Sequence, residues 1–167
     1  PARIFKELDL ISIDKKKIFK ILNSSGTSGK QSKIFLDKKN SIIQTKVLSK
    51  VYQDFFKIKK RSPMIIFDRS NIIKDRKLFS ARGAGILGFS IFGKDHFYAF
   101  DEKNRLRKKE LLKYLNKHKN EKVLIFGLTN IIWENLLNLK ISSSIKKNLT
   151  KSTLIHGGGW KKLEAQK

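Results

Sequence analysis

The sequence predicts an α/β domain whose strands are covered by helices on both faces. Short apolar runs alternate along the chain with segments of helical periodicity, a rhythm typical of α/β sheets. The run Val123-Leu124-Ile125-Phe126 is apolar without alternation, as expected for a strand that is buried on both faces of a sheet. Two turns rich in glycine or serine follow predicted strands, and ligands bind beyond the carboxyl ends of strands in such sheets.

The first half of the chain predicts a strand, a loop, a second strand and a long helix. Residues 18–22 are mostly apolar and lead into a Ser/Gly loop, and residues 33–36 look like the strand that follows the loop. Asp37 or Asn40 is placed to cap the helix. Two rows at helical spacing predict a broad buried face on that helix: Ile43, Val47, Val51 and Phe55, with Leu48, Tyr52 and Phe56 beside them.

The second half predicts four strands and two helices. The strands are residues 64–67, 97–100, 123–126 and 153–155, and the stretch 82–93 between them is rich in glycine and apolar residues. The spacing predicts one helix over 107–118 with Leu111, Leu112 and Leu115 inward, and another running through Ile132, Leu136 and Leu139. Thr129 or Asn130 is the predicted cap of that second helix.

Length and composition bound the class of protein. The 167 residues are close to one domain of roughly 100–200 residues, so the sequence predicts a single domain over 1–167. The absence of cysteine excludes disulfides, thiolate metal sites and a cysteine nucleophile within these residues, and it fits a cytoplasmic protein. No apolar run approaches the roughly 20 residues of a membrane span. No His/Asp/Glu cluster has the spacing of metal ligands, so we expect no metal site built from side chains.

The formal charge of +24 suggests a nucleic-acid partner, but its pattern favours a solvated basic surface. The charge is mostly lysine, accompanied by abundant isoleucine and asparagine, as an AT-rich coding sequence produces. The lysines are scattered over the whole chain, whereas a nucleic-acid surface more often collects on one face with interleaved aromatics. A basic nucleic-acid-binding module without catalysis therefore remains the alternative from another functional class.

The Ser/Gly loop carries the strongest chemical signal. It reads Ser24-Ser25-Gly26-Thr27-Ser28-Gly29, with Lys30 and Lys33 just beyond. Such a cluster can be only a flexible turn, but its glycines allow backbone N–H groups to form an anion nest. Its hydroxyls and lysines add donors and charge suited to a triphosphate. The Walker pattern fails, because Ser24 stands at its first glycine and Gln31 follows the lysine. A second near-match, Gly88 to Lys94, has a bulky interior and is interpreted as core packing.

The loop resembles the phosphate-binding motif of the adenylate-forming superfamily. Four further stretches, in the family's order and spread over nearly the whole chain, make the sequence similar to the acyl-protein synthetase family, the LuxE type of bacterial long-chain aldehyde systems. These are Phe5-Lys6, Ala81-Arg82-Gly83-Ala84-Gly85 with Gly88-Phe89, Phe126-Gly127-Leu128-Thr129-Asn130-Ile131-Ile132-Trp133, and His156-Gly157-Gly158-Gly159-Trp160-Lys161.

The resemblance implies a fold, a reaction and a set of binding residues. The fold is part of the large N-terminal domain of an adenylate-forming enzyme. A carboxylic acid, typically a fatty acid, attacks the α-phosphate of Mg²⁺-bound ATP, and the acyl group then passes from the adenylate to a thiol. Ser24 to Gly29 would hold the β- and γ-phosphates, with Lys30 or Lys33 as the loop's cation, and His156-Gly157-Gly158-Gly159 would lie against the adenine. The stretches Arg82-Gly83-Ala84-Gly85 and Gly127-Leu128-Thr129 would line the acyl pocket.

The sequence contains three histidines, which stand in different contexts. His156 stands beside the glycines and could orient substrate or contact phosphate, or it could only cap the end of a strand. His96 and His118 lie in strand and helix contexts and are interpreted as structural or exposed.

The superfamily's later motifs and the acyl-accepting cysteine are not identifiable in this sequence. We therefore expect the catalytic residues beyond Lys167, and an incomplete N-terminal portion that exposes apolar surface and is inactive alone. An acyl-reductase is the partner that the resemblance implies. A phenylacetate-type CoA ligase and a degenerate, non-catalytic scaffold are the remaining alternatives.

Overall fold

The structure, a computed structural model, describes residues 3–24, 29–57, 60–73, 79–137 and 139–160. The side chains of residues 79–81 are outside that description. The elements of the amino-terminal half are α1 Ile4–Glu7, β1 Lys20–Asn23, β2 Lys33–Leu36, α2 Lys38–Phe56 and β3 Ser62–Arg69. They are followed by β4 Phe79–Ser80, α3 Ala81–Ser90, β5 Gly93–Phe100, α4 Lys108–Lys117, β6 Leu124–Leu128, α5 Thr129–Ile132, α6 Ser143–Leu149 and β7 Thr153–Gly157.

The chain divides into two compact units, which are described separately. The first unit comprises Pro1–Lys59 and Ile73–Gly88, and the second comprises Lys60–Ile72 and Phe89–Lys167. Among the described residues, no helix combines the length and the apolar character that crossing a membrane requires.

The second unit is built on a four-stranded sheet in the order β5-β3-β6-β7, with all neighbours parallel. Strand β3 is central and buried almost throughout, because it has a neighbour on each side and its apolar residues fill both faces. Helix α4 covers one face with Leu111 and Leu115, which pack with Ile65 and Ile125. On the other face Phe126 meets Phe89 at 5.1 Å between ring centroids. The predicted α/β class, with a parallel sheet flanked by helices, is therefore confirmed.

The first unit contains a three-stranded sheet in the order β2-β1-β4. Strand β1 is antiparallel to β2 and parallel to β4, so the Ser/Gly loop joins two strands as predicted. Asp37 is the N-cap of α2, where its carboxylate accepts a 2.6 Å hydrogen bond from the backbone N–H of Asn40. This bond satisfies one of the donors that the first turn of a helix leaves open.

The predicted broad buried face of α2 is wrong for one of its two rows. Leu48 and Phe56 are partly buried and Tyr52 is only 3% exposed, as expected for a packed row. Ile43, Val47, Val51 and Phe55 are exposed, and Phe55 reaches 78%. A helix buries only the rows that other elements cover, and spacing along the chain does not say how many rows are covered.

The carboxyl-terminal half differs from the sequence prediction in its helices. The helix predicted to run through Ile132, Leu136 and Leu139 ends in the π-helical turn Trp133–Leu137, so Leu139 lies outside it. The glycine-rich stretch after residue 80 is helix α3, and residues 143–149 form α6, which the pattern had not suggested. Helix α4 is confirmed, with Leu111, Tyr114 and Leu115 buried and Leu112 partly buried. The predicted cap at Thr129 or Asn130 is wrong: Leu128 is the N-cap of α5 and makes no side-chain cap bond.

Candidate functional site

The phosphate-loop candidate begins and ends in the first unit. Ser25, Gly26, Thr27 and Ser28 lie outside the described residues. Ser24 donates its backbone N–H to the carbonyl of Ser32 at 3.0 Å, and its Oγ accepts from the Ser32 N–H at 2.8 Å. These two hydrogen bonds between Ser24 and Ser32, called the clasp below, connect the two ends of the loop. Because Oγ acts there as an acceptor, the Ser24 hydroxyl keeps its hydrogen to donate elsewhere.

Two features at the far side of the loop bear on anion binding. Gly29 has φ +103°, a conformation that side chains with a Cβ rarely adopt. Lys30 follows it and is exposed. Lys33, on β2, lies 3.2 Å from Oδ1 of Asp9 in an exposed ion pair. The sequence left Lys30 and Lys33 equivalent, and the structure gives them different surroundings.

Strand pairing in the first unit joins two segments that the sequence left separate. Asn23, just before the loop, pairs with Ser80 in parallel register. The chain therefore leaves the sheet at one edge twice, once into the loop and once into α3. Arg82, Gly83, Ala84 and Gly85 form the first turns of that helix, where Gly83 is buried and the other three are partly buried. Their predicted role in an acyl pocket stays a prediction, and their position is beside the start of the phosphate-loop candidate.

The carboxyl ends of β6 and β7 form the second candidate region, in the second unit. Gly127 pairs with His156 and Leu128 with Gly157 in parallel register, so the residues that follow both strands emerge at the same edge. Gly127 is buried, and a Cβ built on it would lie 2.9 Å from Cβ of Phe67 and 3.2 Å from the side chain of Ile132. The close packing of β6 against β3 and α5 therefore requires glycine at this position.

Thr129 fastens the glycine turn to the start of α5. Its Oγ1 lies 3.0 Å from Nδ1 of His156, 3.0 Å from the carbonyl oxygen of Gly158 and 3.2 Å from that of Gly157. Thr129 is buried while His156 and the glycines are exposed. The buried hydroxyl thus holds an exposed turn in place, which explains why it does not cap the helix.

Within the described ranges the turn is open to an approaching ligand. A Cβ built on Gly157 would meet no atom of the described residues within 4 Å, and Gly158 has φ +85°. Gly159 is also exposed. Just beyond, Trp160 contacts Trp133 edge-to-face, with ring centroids 5.1 Å apart. Trp133 begins a turn of π-helix, Trp133–Leu137, that continues α5, and such widened turns often occur at functional sites.

The structure also places a buried carboxylate that sequence reasoning missed. Asp68, near the carboxyl end of β3, is 5% exposed and accepts the backbone N–H of Arg69 at 2.7 Å. Burial raises the pKa of Tyr98 on the neighbouring strand β5, and the charge of Asp68 raises it further. The signal was available in the sequence, because Asp68 directly follows the apolar run that ends at Phe67.

A charged network occupies the amino-terminal end of β5. The ring of His118, which is 6% exposed, lies between Oδ2 of Asp95 at 2.8 Å and Oε1 of Glu121 at 2.7 Å. Lys117 and Lys94 complete ion pairs of 2.7 Å with the same two carboxylates. Hydrogen bonds from Lys117 and His118 lower the pKa of Asp95, and hydrogen bonds from Lys94 and His118 lower that of Glu121.

This network is structural in character. It lies at the end of the sheet opposite the glycine turn, and its carboxylates are already neutralised by lysine and histidine. Within the described ranges, no group of three or more His, Asp or Glu side chains is arranged to hold a metal ion. His96 is exposed, and one of its ring nitrogens, Nε2, lies 3.0 Å from the carbonyl of Ser90. His118 is thus buried and hydrogen-bonded, and His96 is exposed. The sequence had indicated a structural or exposed position for both histidines.

A family model described as "Acyl-protein synthetase, LuxE" matches residues 1–167. No curated protein and no solved structure matches the chain. The family match extends over both compact units and includes the Ser/Gly loop and the glycine turn.

Proposed function

Since the chain belongs to the LuxE acyl-protein synthetase family, we propose that it takes part in the ATP-dependent activation of a fatty acid. The acid's carboxylate oxygen attacks the α-phosphorus of ATP, the bond to the pyrophosphate oxygen breaks, and an acyl-adenylate forms. A thiol then attacks the acyl carbon, AMP leaves, and the thiol proton passes to water. The resulting thioester is the form in which an acyl-reductase partner would receive the acyl group.

The observation that carries this proposal is the clasp at the base of the superfamily-type loop. Two hydrogen bonds between Ser24 and Ser32 hold the described ends of the segment together. In this proposal that closure lowers the cost of arranging donors around a phosphate when it binds. In this proposal residues 24–29 bind the β- and γ-phosphates of ATP through backbone N–H groups and hydroxyls.

Lys30 is the proposed cation of the loop. It follows Gly29 directly and is exposed, whereas the ammonium of Lys33 is already 3.2 Å from the carboxylate of Asp9. The start of α3 leaves the sheet beside β1, and the positive end of its helix dipole adds a favourable potential for phosphate.

Mg²⁺ fits this arrangement as an ion that enters with the nucleotide. The described residues offer no cluster of carboxylates or histidines for it, and Mg²⁺ commonly keeps phosphate and water oxygens as its main ligands. When bound, it would neutralise charge on the phosphates. The serine, threonine and lysine side chains of the loop orient the phosphates around that charge.

The glycine turn is the proposed contact for adenine. No described residue occupies the space where a Cβ on Gly157 would stand, and all three glycines are exposed. A flat base can therefore approach the backbone closely. Thr129 keeps the turn in one conformation through its bonds to Gly157 and Gly158.

The test is carboxylate-dependent exchange between ATP and pyrophosphate, measured on the protein as its gene encodes it, with fatty acids of varied chain length. We expect exchange with the wild type and a loss of at least about tenfold in Gly29→Val, because φ +103° disfavours a branched side chain. Thr27→Ala removes one proposed phosphate donor and should lower exchange by several-fold. Ser144→Ala, in the exposed first turn of α6, is the matched control. Unchanged exchange in both loop variants would exclude the loop from nucleotide binding.

A further inference from the structure

Thr129 and His156 form a unit whose hydrogen atoms can be assigned from geometry. Oγ1 of Thr129 has three neighbours within 3.2 Å: Nδ1 of His156 and the carbonyl oxygens of Gly157 and Gly158. A hydroxyl carries one hydrogen and two lone pairs, and a carbonyl oxygen can only accept. The contact with His156 is the only one of the three in which the hydroxyl can accept.

For a neutral imidazole ring, only one arrangement of hydrogens satisfies all three contacts. If the hydroxyl hydrogen points to the carbonyl oxygens, the threonine lone pair accepts a hydrogen from Nδ1 of His156, and every contact is favourable. If the hydroxyl donated its hydrogen to Nδ1, no hydrogen would be left for the two carbonyl oxygens. The lone pairs of the threonine oxygen would then face those of the carbonyl oxygens at 3.0 and 3.2 Å. Thr129 is buried, so water does not relieve that repulsion. The geometry therefore selects the His156 ring with its hydrogen on Nδ1.

A neutral ring with its hydrogen on Nδ1 has a lone pair on Nε2, which makes Nε2 a hydrogen-bond acceptor. No described residue forms a hydrogen bond with Nε2. His156 is exposed at the start of the glycine turn. The acceptor therefore stands at the edge of the surface on which the proposed function puts the base of the nucleotide.

We propose that His156 is a specificity-determining residue that accepts a hydrogen bond from the exocyclic amino group of adenine, and that Thr129 is the positioning residue that sets its tautomer. This proposal rests on the proposed function, since it assumes that adenine lies on the glycine turn. Adenine presents an amino donor at the position where guanine presents a carbonyl oxygen. An acceptor on the protein therefore favours ATP. It disfavours GTP, because its lone pair would face the lone pairs of the guanine carbonyl oxygen.

The first experiment reads the tautomer without any activity measurement. In the gene-encoded protein with ¹⁵N-labelled histidine, in mildly alkaline buffer, the two ring ¹⁵N shifts of His156 report which nitrogen carries the hydrogen. We expect Nδ1–H in the wild type and in Thr129→Ser, which keeps a hydroxyl. Thr129→Val keeps the shape without the hydroxyl and should give a mixture of tautomers. A wild-type ring with its hydrogen on Nε2 would overturn the proposal.

The second experiment measures binding of ATP, purine riboside triphosphate and GTP by titration calorimetry. Purine riboside triphosphate lacks only the amino group, so we expect it to bind about fivefold more weakly than ATP, as for the loss of one typical hydrogen bond. His156→Ala should bind ATP and purine riboside triphosphate equally, and Thr129→Val should show reduced discrimination. Thr129→Ser and His96→Ala, an exposed histidine of the same unit, should discriminate as the wild type does.

The outcomes separate this proposal from the proposed function. If ATP binds and the loop variants weaken it, but His156→Ala discriminates as before, the role of His156 is wrong and the nucleotide site stands. If ATP does not bind to the folded wild-type protein, both proposals fail. Thermal unfolding of each variant shows that a loss of discrimination does not arise from a loss of fold.

Discussion

Nε2 of His118 lies 2.8 Å from Oδ2 of Asp95, while its other ring nitrogen, Nδ1, lies 2.7 Å from Oε1 of Glu121. Carboxylates only accept, so both ring nitrogens donate when both bonds are made, and the ring then carries a positive charge. This bridge connects the amino-terminal end of β5 with the turn that follows α4.

The carboxyl groups of the bridge predict a loss of stability in acid. Asp95 and Glu121 both have a pKa below its ordinary value in the folded protein. A lowered folded pKa contributes stability above the unfolded value, and this contribution disappears as the pH falls through the folded pKa. The melting temperature should therefore drop as the pH falls below about 4. In Asp95→Asn this acid dependence should be shallower, and an unchanged slope would contradict the assignment.

Replacement of His118 should cost far more stability than replacement of His96. His118→Ala leaves Asp95 and Glu121 without their shared donor and removes a ring that packs 4.6 Å from that of Tyr114, so we expect a loss of about 1–3 kcal/mol. His96 is exposed with one bond to Ser90, and His96→Ala should cost less than about 1 kcal/mol. Urea unfolding measures both, and equal losses would show that the bridge adds no stability.

Two glycines near the sheet edge should respond to alanine in opposite ways. Gly127→Ala brings a Cβ to 2.9 Å from Phe67 and should destabilise the protein by about 1–3 kcal/mol. In Gly157→Ala the new Cβ meets no atom of the described part of the chain within 4 Å, so this variant should change stability by less than about 0.5 kcal/mol. Its methyl group would instead obstruct the base, so ATP binding should weaken. Unfolding and ATP titration on both variants test this separation, and normal ATP binding by folded Gly157→Ala would remove the turn from the adenine site.

Ser24→Ala should weaken nucleotide binding, because it removes a hydrogen bond between the two ends of the loop. It deletes the 2.8 Å bond from the Ser32 N–H, and a typical net hydrogen bond of about 1 kcal/mol corresponds to roughly fivefold in affinity. Ser144→Ala removes a hydroxyl of the same type from an exposed helix position and should bind ATP as the wild type does. Equal ATP affinities for the two variants would mean that the hydrogen bond between Ser24 and Ser32 does not contribute to nucleotide binding.

Neighbouring residues of α2 test the one-sided packing of that helix. Tyr52 is 3% exposed and Val51 is 57% exposed. Tyr52→Ala should destabilise the protein by about 3 kcal/mol, as for other large aromatic truncations. Val51→Thr keeps the β-branched shape and should change stability by less than about 0.5 kcal/mol. Thermal unfolding distinguishes the two variants. A large loss of stability in Val51→Thr would mean that the exposed row of α2 is buried in the protein in solution.

Much of the fold could be predicted from the sequence because it is encoded locally. The apolar run at Met64 to Phe67, the helix with Leu111 and Leu115 and the cap at Asp37 depend on neighbours a few residues away. The Ser/Gly loop was recognised for the same reason, since its glycines and hydroxyls are consecutive. Element lengths were less well predicted: β3 and β5 extend beyond their apolar runs, because strand pairing with a neighbour prolongs them.

Only the tertiary structure decided which residues far apart in the chain contact each other. The sequence determined that Thr129 stands two residues after a glycine and His156 directly before one. The parallel register of β6 and β7 decided that the hydroxyl meets the imidazole. Likewise the pairing of Asn23 with Ser80 put α3 beside the loop, and the fold left Val51 exposed beside a buried Tyr52. Periodicity specifies which residues share a face, but burial and hydrogen bonding depend on what another segment brings to that face.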